Sequence, residues 1–351
     1  MPGKYILVNT EADNLRELRN RLDRVGLESP FLDLRLRHSE LSMDMNYIEM
    51  LRPYSRIYHS MLPTQASGRW SVKNPPLTNF KEDLRDCLIP DEGDAWIAWD
   101  LDVIEGKIVA AYSHDKLDLE SFDKGYDIHT VTACKMVGLP LPPDLRDPHQ
   151  SPVAAEWRAQ HGWKGKGDKR RILAKVRYCL LYGRDHTAVS GSKYEKDMVK
   201  MGFDRSVLVQ AATQFLASKP NLRSTKTKWW AHCAKAGEAR TIFGRRRKLF
   251  GKQWDKSKEG WNHMIQGSVT DMVNTALIEI HQANPTWRLI YPSHDAAKHR
   301  VPLEALSPAN RQATLDIFRR AVLKEYEIEG ERIESTATFH IYYDDGRVEH
   351  L

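Results

Sequence analysis

Two aspartates that are far apart in sequence are the first candidates for chemistry in this chain. Asp100 lies within the largely apolar segment 95–104, and Asp295 lies in a short turn between two apolar stretches. Either residue alone is typical of an ordinary carboxylate at a turn or strand edge. If the fold brings them together, the pair can hold divalent cations, which phosphoryl transfer uses to activate a hydroxyl and to stabilise a leaving oxygen.

A second candidate is the segment 169–183, where cationic and aromatic side chains recur at helical spacing along one stripe. The stripe consists of Arg171, Lys175, Tyr178 and Tyr182. Cations can clamp a triphosphate while a ring stacks on a base, so the stripe suits a nucleotide. A helix that buries its aromatic rings and extends its cations to solvent explains the same pattern.

The elements that must position these residues follow from periodicity. Partial alternation predicts a buried strand over 95–104 with Asp100 and Asp102 on one side, and a strand pair over 287–292 and 296–301 around the turn 293–295. Helices are predicted over 11–27, 42–51, 259–283 and 308–325, a mostly helical region over 127–250 with a Pro-rich loop at 138–152, and a last strand over 335–343. Strands and helices that do not alternate regularly indicate an α+β fold.

Composition sets broad limits on the class of protein. The 351 residues are 41% hydrophobic and 28% charged, as in a globular protein. The net charge of +6 weakly favours a polyanionic partner, and the basic stretches 164–177 and 240–249 suit phosphates or, equally, a solvated face. Four cysteines without CxxC spacing indicate reduced thiols and no zinc site. Without a signal peptide or a long apolar run, we expect a cytoplasmic protein with no membrane partner.

Seven short segments together resemble a known family. They are, in order, SGRWS, DLDVIEGK, DIHT, RRILAKVRYCLLYG, TIFGRRRKL, NHMIQGSVTD and SHDA. From about Tyr58 onward they resemble the polymerase domain of bacterial DNA polymerase I and its phage relatives, the family A DNA polymerases. The resemblance implies a right-hand polymerase fold of the α+β class, with an antiparallel-sheet palm, helical fingers and a reduced thumb-like N-terminal region. The implied division is 1–57 for that region, 58–120 and 251–351 for the palm, and 121–250 for the fingers.

The resemblance also implies an activity and a set of site residues. It implies that deoxynucleotides are added to a primer end with two Mg²⁺ ions, or Mn²⁺ in their place, held by Asp100 and Asp295. Lys175 would supply charge to the leaving pyrophosphate, and Glu105 would exclude a ribose 2′-hydroxyl. The implied nucleotide-binding residues are Glu105, His129, Arg171, Lys175, Tyr178 and Tyr182. The implied DNA-binding residues are Arg69, Asn79, Asn262, Gln266, His294, Arg245 and Arg246, with the two arginines either near the template or acting as structural ties.

Three features depart from the family pattern. Ala296 follows the His-Asp pair where the family has a glutamate, and Asp102 is a candidate to compensate. Lys175 and Tyr178 are three residues apart where the family has four, so the stripe Arg170, Ala174 and Tyr178 is an alternative register. Few residues precede the resemblance, so we expect no proofreading exonuclease.

Two further functions remain open alongside the DNA polymerase. One is a catalytically weak nucleic-acid-binding module, which Ala296 favours. The other is a single-subunit RNA polymerase, against which Glu105 and Tyr178 argue. The expected partners are primer-template DNA and deoxynucleoside triphosphates, with a processivity factor or another replication protein as a further candidate.

Overall fold

The computed structural model describes residues 26–80, 87–146, 150–161, 169–182 and 205–351, together with a few separate positions. Inside the described helices, the side chains of some residues, including Arg171 and Lys175, lie outside the description. The α-helices are α1 (Pro30–Leu51), α2 (Ile104–Tyr112), α3 (Lys116–Asp123), α4 (Ile128–Val137), α5 (Pro152–Gln160), α6 (Lys169–Leu181), α7 (Arg205–Ala217), α8 (Pro220–Ala236), α9 (Gln253–Asn262), α10 (Ser268–Ala283) and α11 (Arg311–Val322).

The strands form one larger antiparallel sheet and three short hairpins. They are β1 (Ser60–Leu62), β2 (Ser71–Lys73), β3 (Asp94–Leu101), β4 (Glu238–Arg240), β5 (Arg246–Lys248), β6 (Arg288–Ser293), β7 (Ala296–Pro302), β8 (Glu325–Ile328), β9 (Glu331–Glu334), β10 (Ala337–Tyr343) and β11 (Val348–His350). The larger sheet has the order β11-β10-β3-β7-β6, and the hairpins are β1–β2, β4–β5 and β8–β9. Strand β3 is therefore central, with β10 and β7 on its two sides.

The two faces of the sheet differ because side chains alternate along each strand. On β3, Ala95, Ile97, Trp99 and Leu101 are buried, whereas Asp100 on the opposite face is exposed. The buried face shares one core with residues of α10 and α11. In this core the Phe318 ring of α11 stacks on the ring of Trp287, which precedes β6, with centroids 5.4 Å apart. The opposite face of the sheet is left open for a ligand.

Several predicted bounds are wrong, for physical reasons. Strand β3 ends at Leu101, because Val103 adopts a left-handed conformation (φ 51°) and the chain enters α2 at Ile104. The predicted helix over 42–51 begins earlier, at Pro30, where the Ser29 side chain caps the helix. The predicted helix 259–283 begins at Gln253 and contains a π-helical turn at His263–Gly267. Of the predicted helix 11–27, six positions are described: Leu15, Leu18, Arg19 and Leu22 are helical, whereas Gly26 and Leu27 are not.

Three hairpins and one edge strand were missed in the sequence, and the first of these hairpins is β1–β2. The β4–β5 hairpin interrupts the region predicted as mostly helical, and β8–β9 follows directly after α11. β11 adds an edge strand beside β10. Within the part of the chain that is described, no helix is both long enough and apolar enough to cross a membrane.

A buried ion network fixes α6 against its neighbouring helices. The Arg177 guanidinium is fully buried, and its Nη2 lies 3.0 Å from Asp118 Oδ2 on α3. Lys219 Nζ lies 2.6 Å from both Asp118 and Asp115. Burial alone would raise the pKa of Asp118, but the charges of Arg177 and Lys219 outweigh it and lower that pKa. Because Arg177 directly precedes Tyr178, this network constrains the stripe on α6.

We expect Asp118→Asn to lower the free energy of unfolding by about 3–5 kcal/mol, because it leaves the buried Arg177 cation without a full counter-charge. Chemical denaturation at neutral pH measures this change. The control is Glu120→Gln on the same helix, which removes an exposed Lys124 pair and should change stability by less than about 0.5 kcal/mol. Equal effects of the two substitutions would show that the network is not a stability element.

Candidate active site

Backbone pairing places the two sequence-predicted aspartates side by side. Asp100 near the end of β3 is in register with Ala296 on β7 and Thr338 on β10. Asp295 immediately precedes Ala296, and its carbonyl oxygen accepts a hydrogen bond from the Leu101 amide at 3.1 Å. The tight turn between β6 and β7 is made by His294, which is left-handed (φ 58°), and Asp295. Both aspartates therefore sit at the same end of the sheet.

The two carboxylates repel each other in a partly desolvated setting. Although the Asp100 side chain is accessible at the open face of the sheet, the surrounding chain displaces part of the water around its carboxyl group. This desolvation, followed by the charge of Asp295 and then that of Asp102, raises the pKa of Asp100 to about 7. Burial and then the charge of Glu105 raise the pKa of Asp295 to about 6, against the opposing effects of a backbone hydrogen bond and Arg69. Both shifts mean that burial and neighbouring carboxylates disfavour the ionised forms of the two aspartates.

The donor atoms at this position suit a hard divalent cation. Mg²⁺ is bound by oxygen ligands, typically one or two carboxylates completed by water and substrate phosphates. Asp102 lies in the turn after β3, and its Oδ1 accepts a hydrogen bond from Thr338 at 2.9 Å. Among the described residues there is no cluster of three or more metal-binding side chains.

An open cavity of about 340 Å³ lies beside the aspartates on the exposed face of the sheet. Its walls include residues that the sequence analysis did not identify, among them Arg85, Tyr291, Lys298, His340 and Tyr342. Lys298 Nζ lies 3.9 Å from the centroid of the Tyr342 ring and 4.8 Å from that of Trp96. The strand register could have identified two of these residues. Lys298 and His340 both pair with Ala98, two residues before Asp100, and therefore lie on the same face of the sheet as Asp100.

Glu105 lies at the centre of a second group of polar residues beside the aspartates. Its Oε1 lies 2.5 Å from Arg69 Nη2, and its Oε2 accepts a hydrogen bond from the Tyr182 hydroxyl at 2.5 Å. Burial first, and then the Glu105 charge, raise the pKa of Tyr182 well above its usual value, while Gln266 hydrogen bonds to the same hydroxyl. Arg69, Glu105, Tyr182 and Gln266 thus form one contact group.

Tyr178 and two histidines extend this group toward the nucleotide-binding candidates. The Tyr178 ring lies 5.8 Å from the His129 ring at the start of α4. Burial raises the pKa of Tyr178 to about 12; the Arg177 charge opposes this rise, and the charges of Glu105, Asp295 and Asp100 add to it. Burial, followed by the charge of Arg69, lowers the pKa of His294, while the charge of Glu105 opposes this shift.

Two of the predicted nucleotide-binding residues on α6 have side chains outside the described part of the structure. Arg171 and Lys175 lie on this helix, but their side chains are outside the described residues, so their roles stay predictions. Ala174, which belongs to the alternative register, is buried. The described part of the helix brings Tyr178 and Tyr182 to the site.

Four of the predicted DNA-binding residues differ in their surroundings. Asn262 Oδ1 is buried without a hydrogen-bond partner among the described residues, whereas Asn79 is exposed. Arg245 makes structural contacts: its Nε lies 2.6 Å from Asp271 Oδ1, and its Nη2 donates to the carbonyls of Ser67 and Gly267 at 2.9 and 3.1 Å. Arg246, the next residue, is exposed.

Comparisons with known proteins show which family and fold the chain is similar to. The family model described as DNA polymerase family A matches residues 4–147. DNA polymerase I of Chloroflexus aurantiacus is 24% identical over 262 residues, which cover 70% of this chain and 25% of the relative. The thermostable DNA polymerase I of Thermus thermophilus is 24% identical over 324 residues, which cover 85% of this chain and 35% of the relative. The chain thus spans about a quarter to a third of the length of these relatives.

A solved structure has the same fold. It is described as the POL domain of Pol1 from M. smegmatis in complex with DNA primer-template and dNTP. It matches with a TM-score of 0.69 and 22% identity, covering 96% of this chain and 56% of the other. The resemblance stated from the sequence and the α+β polymerase fold class are therefore confirmed. The metal and substrate roles of individual residues stay predictions.

The raised pKa values of the aspartates predict a specific pH dependence of stability. A carboxyl group whose pKa is higher in the folded chain than in the unfolded chain stabilises the fold when it is protonated, below about pH 4. This stabilisation is lost as the pH rises through the folded-state pKa values of about 6 and 7. In metal-free buffer at pH 8 we therefore expect Asp295→Asn to raise the unfolding temperature by on the order of a few degrees, because it removes one of two repelling charges. Near pH 4 the difference should disappear.

Magnesium should reverse this effect without any substrate. Adding Mg²⁺ at pH 8 should raise the unfolding temperature of the unmodified chain, and should leave an Asp100→Asn, Asp295→Asn double variant unchanged, as followed by differential scanning calorimetry. A matched Asp255→Asn variant, whose carboxylate lies on α9, should respond like the unmodified chain. If the double variant gains as much stability from Mg²⁺, the two aspartates do not form the cation site.

Proposed function

Since the chain is a relative of the family A DNA polymerases in sequence and has their fold, we propose that it is a template-directed DNA polymerase. In this proposal it adds deoxynucleotides to a primer 3′-hydroxyl. The observation that carries the proposal is the position of Asp100 and Asp295 at one end of the central sheet, where the charge of Asp295 helps to raise the pKa of Asp100. Two adjacent oxygen-donor carboxylates are what nucleotidyl transfer with divalent metals requires.

Asp100 and Asp295 would hold two Mg²⁺ ions, or Mn²⁺ in their place. Such ions, when bound, supply activation of the primer hydroxyl and neutralise the charge that develops on the phosphate. The chain itself would position the reacting groups. The β3–β7 register holds the carboxylates, and the open face beside them leaves room for a primer end. No side-chain nucleophile is needed for this reaction, because the primer oxygen attacks directly.

The surrounding residues support a division between nucleotide and DNA. We assign Tyr178, His129 and the cations of α6, including Lys175, to the incoming nucleotide, since the Tyr178 ring lies 5.8 Å from the His129 ring and the charges of both aspartates help to raise the Tyr178 pKa. Glu105, held by Arg69 and Tyr182, is assigned to the sugar. We assign Asn262, Gln266 and His294 to the duplex, where the unpartnered Asn262 Oδ1 can accept a hydrogen bond.

The proposed division of the chain follows these assignments. The sheet residues within 58–120 and 251–351 would form the palm, 121–250 the fingers, and 1–57 a reduced thumb-like region. Primer-template DNA and deoxynucleoside triphosphates would be the substrates, and a processivity factor remains a candidate partner. The absence of proofreading stays a prediction: a labelled primer incubated with the protein and Mg²⁺ but without nucleotides should keep its length.

Primer extension tests the proposed activity. With a labelled primer-template, dNTPs and Mg²⁺, we expect the chain to extend the primer, and we expect Asp100→Asn or Asp295→Asn to reduce the rate by at least about 10²- to 10³-fold, because each removes charge at the reacting phosphate. Asp123→Asn, at the end of α3, is the control and should keep the rate. Extension that survives in both aspartate variants would refute the proposal.

The same assay separates the alternative functions. A binding module would retain the primer-template without extending it, and an RNA polymerase would prefer ribonucleotides. Gel-resolved products with dNTPs and with rNTPs, measured in parallel, distinguish these outcomes. A clear preference for rNTPs would overturn the assignment of deoxynucleotides while keeping the polymerase fold.

We expect Glu105→Ala to increase ribonucleotide incorporation relative to deoxynucleotide incorporation by about tenfold or more, because it removes the carboxylate assigned to the sugar. Steady-state kcat/KM for dCTP and CTP opposite the same template base measures the ratio. Arg69→Lys is a useful comparison, since it keeps the positive charge beside Glu105. If Glu105→Ala lowers both rates equally, Glu105 has a structural role only.

A further inference from the structure

Helix α1 has a line of large apolar side chains on its solvent-facing side. The five residues of this exposed stripe are each between 42% and 73% exposed: Phe31, Leu34, Leu41, Met45 and Ile48. Single exposed apolar side chains are ordinary on protein surfaces, but five along one side of a 22-residue helix form a continuous apolar surface. None of the residues proposed for metal, nucleotide or DNA belongs to it.

The opposite side of α1 already covers the core. Leu32 and Leu36 are buried in a cluster with Leu15, and the Tyr47 ring lies 4.7 Å from the Phe80 ring. At about 100° per residue, Leu32, Leu36 and Tyr47 point away from the exposed stripe. A helix that only covered the core would have one apolar side, so the second apolar side indicates a further contact.

The spacing of the exposed stripe is that of a coiled-coil seam. Positions 31, 34, 38, 41, 45 and 48 are separated alternately by three and four residues, which is the a and d pattern of a heptad repeat. The one polar member is His38, which is also exposed. A stripe with this period is buried when two helices wind around each other, so the surface fits a second helix.

The stripe is complementary to a second copy of itself. When two copies of α1 run antiparallel, each a position of one meets a d position of the other; the facing residues are Phe31 and Ile48, Leu34 and Met45, and His38 and Leu41. A two-fold axis repeats each of these contacts, as in the self-complementary interfaces of symmetric dimers. One helix therefore supplies both halves of the seam.

Charged residues beside the stripe favour the same arrangement. Arg37 and Asp44 are seven residues apart and share the heptad position g. In the antiparallel pair the g positions of the two copies adjoin, so Arg37 of each copy lies beside Asp44 of the other. A parallel pair would instead place Asp44 beside Glu49 of the other copy, with like charges in contact. Charge complementarity thus selects the antiparallel pair.

We propose that α1 is the contact surface of a homodimer, in which the α1 helices of two copies pack antiparallel along their exposed stripes. Each helix is about 33 Å long, so the interface is small, and the dimer forms reversibly with a Kd on the order of micromolar. The inference does not rest on the proposed polymerase activity, because the stripe contains no residue assigned to that reaction.

Sedimentation velocity of the full chain over a range of about 1 to 100 µM tests the inference. We expect a monomer–dimer equilibrium, and we expect Leu34→Lys to raise the dimer Kd about tenfold or more, because it places a charge in the apolar seam. Met43→Lys is the matched control, since Met43 is also exposed on α1 but lies outside the stripe. It should change the Kd by less than about twofold.

Disulfide cross-linking tests the orientation of the helices. Leu34→Cys and Met45→Cys are each placed in a Cys87→Ser background, which removes the exposed native thiol. A mixture of the two variants should give a cross-linked dimer on mild oxidation, because the two positions face each other. Either variant alone should not, because identical positions lie about 16 Å apart along an antiparallel pair.

Three results would overturn the inference. One is an unmodified chain that stays monomeric at about 100 µM. Another is an equal effect of Leu34→Lys and Met43→Lys on the dimer Kd. The third is cross-linking of either cysteine variant alone, which would show a parallel pair. If Leu34→Lys unfolds at a lower temperature than the unmodified chain, the cross-linking result decides.

Discussion

The repulsion between Asp100 and Asp295 is the constraint on which the rest of the site depends. Register pairing between β3 and β7, together with the hydrogen bond from the Leu101 amide to the Asp295 carbonyl, holds two like charges side by side. A fold selected for stability alone would separate them or neutralise one, because unpaired charges in a partly desolvated place are costly. The surrounding structure must therefore keep the pair in place against an electrostatic cost that a bound cation would remove.

The backbone accepts unusual conformations to keep that geometry. Val103, a β-branched residue, is left-handed three positions after Asp100, and His294 is left-handed directly before Asp295. A β-branched residue at positive φ is rare, and such strain persists only where the surrounding structure enforces it. Here the turn at Val103 directs α2 away from the sheet, so that Glu105 on its first turn lies near Arg69 and Tyr182. Strain in one turn thus links the metal-binding candidates to the sugar-binding candidate.

Local pattern predicted the parts of the site that lie on the central sheet. The strand containing Asp100 and the hairpin around Asp295 are identifiable because apolar residues alternate beside a tight turn. The β8–β9 hairpin was missed although Glu329 and Gly330 form a turn between residues that alternate in burial. The π-turn at His263–Gly267 has no comparable local signal, since its hydrogen bonding depends on packing against neighbouring elements.

Hydrophobic periodicity could not predict contacts between segments that are distant in the sequence. Glu105 meets Arg69 and Tyr182, which lie 36 and 77 positions away in the chain, and only the tertiary fold decides that they converge. The same applies to Arg177, which a helical wheel treats as one more surface cation but which is fully buried against Asp118. From the sequence alone, a cation that stabilises the fold is therefore hard to distinguish from one that is free to bind phosphate.

The GRRR turn shows how one motif divides these two roles. Arg245 joins the loop containing Ser67 to α10 through Asp271, and Arg247 pairs with Glu259 on α9, so both arginines fix the hairpin to the body of the protein. Arg246 lies between them and is exposed. Alternation along β5 explains this outcome, because neighbouring side chains point to opposite faces of the strand. The two anchored arginines hold rigid the hairpin that presents Arg246, and a rigid cation loses less conformational entropy when it binds a phosphate than a flexible one.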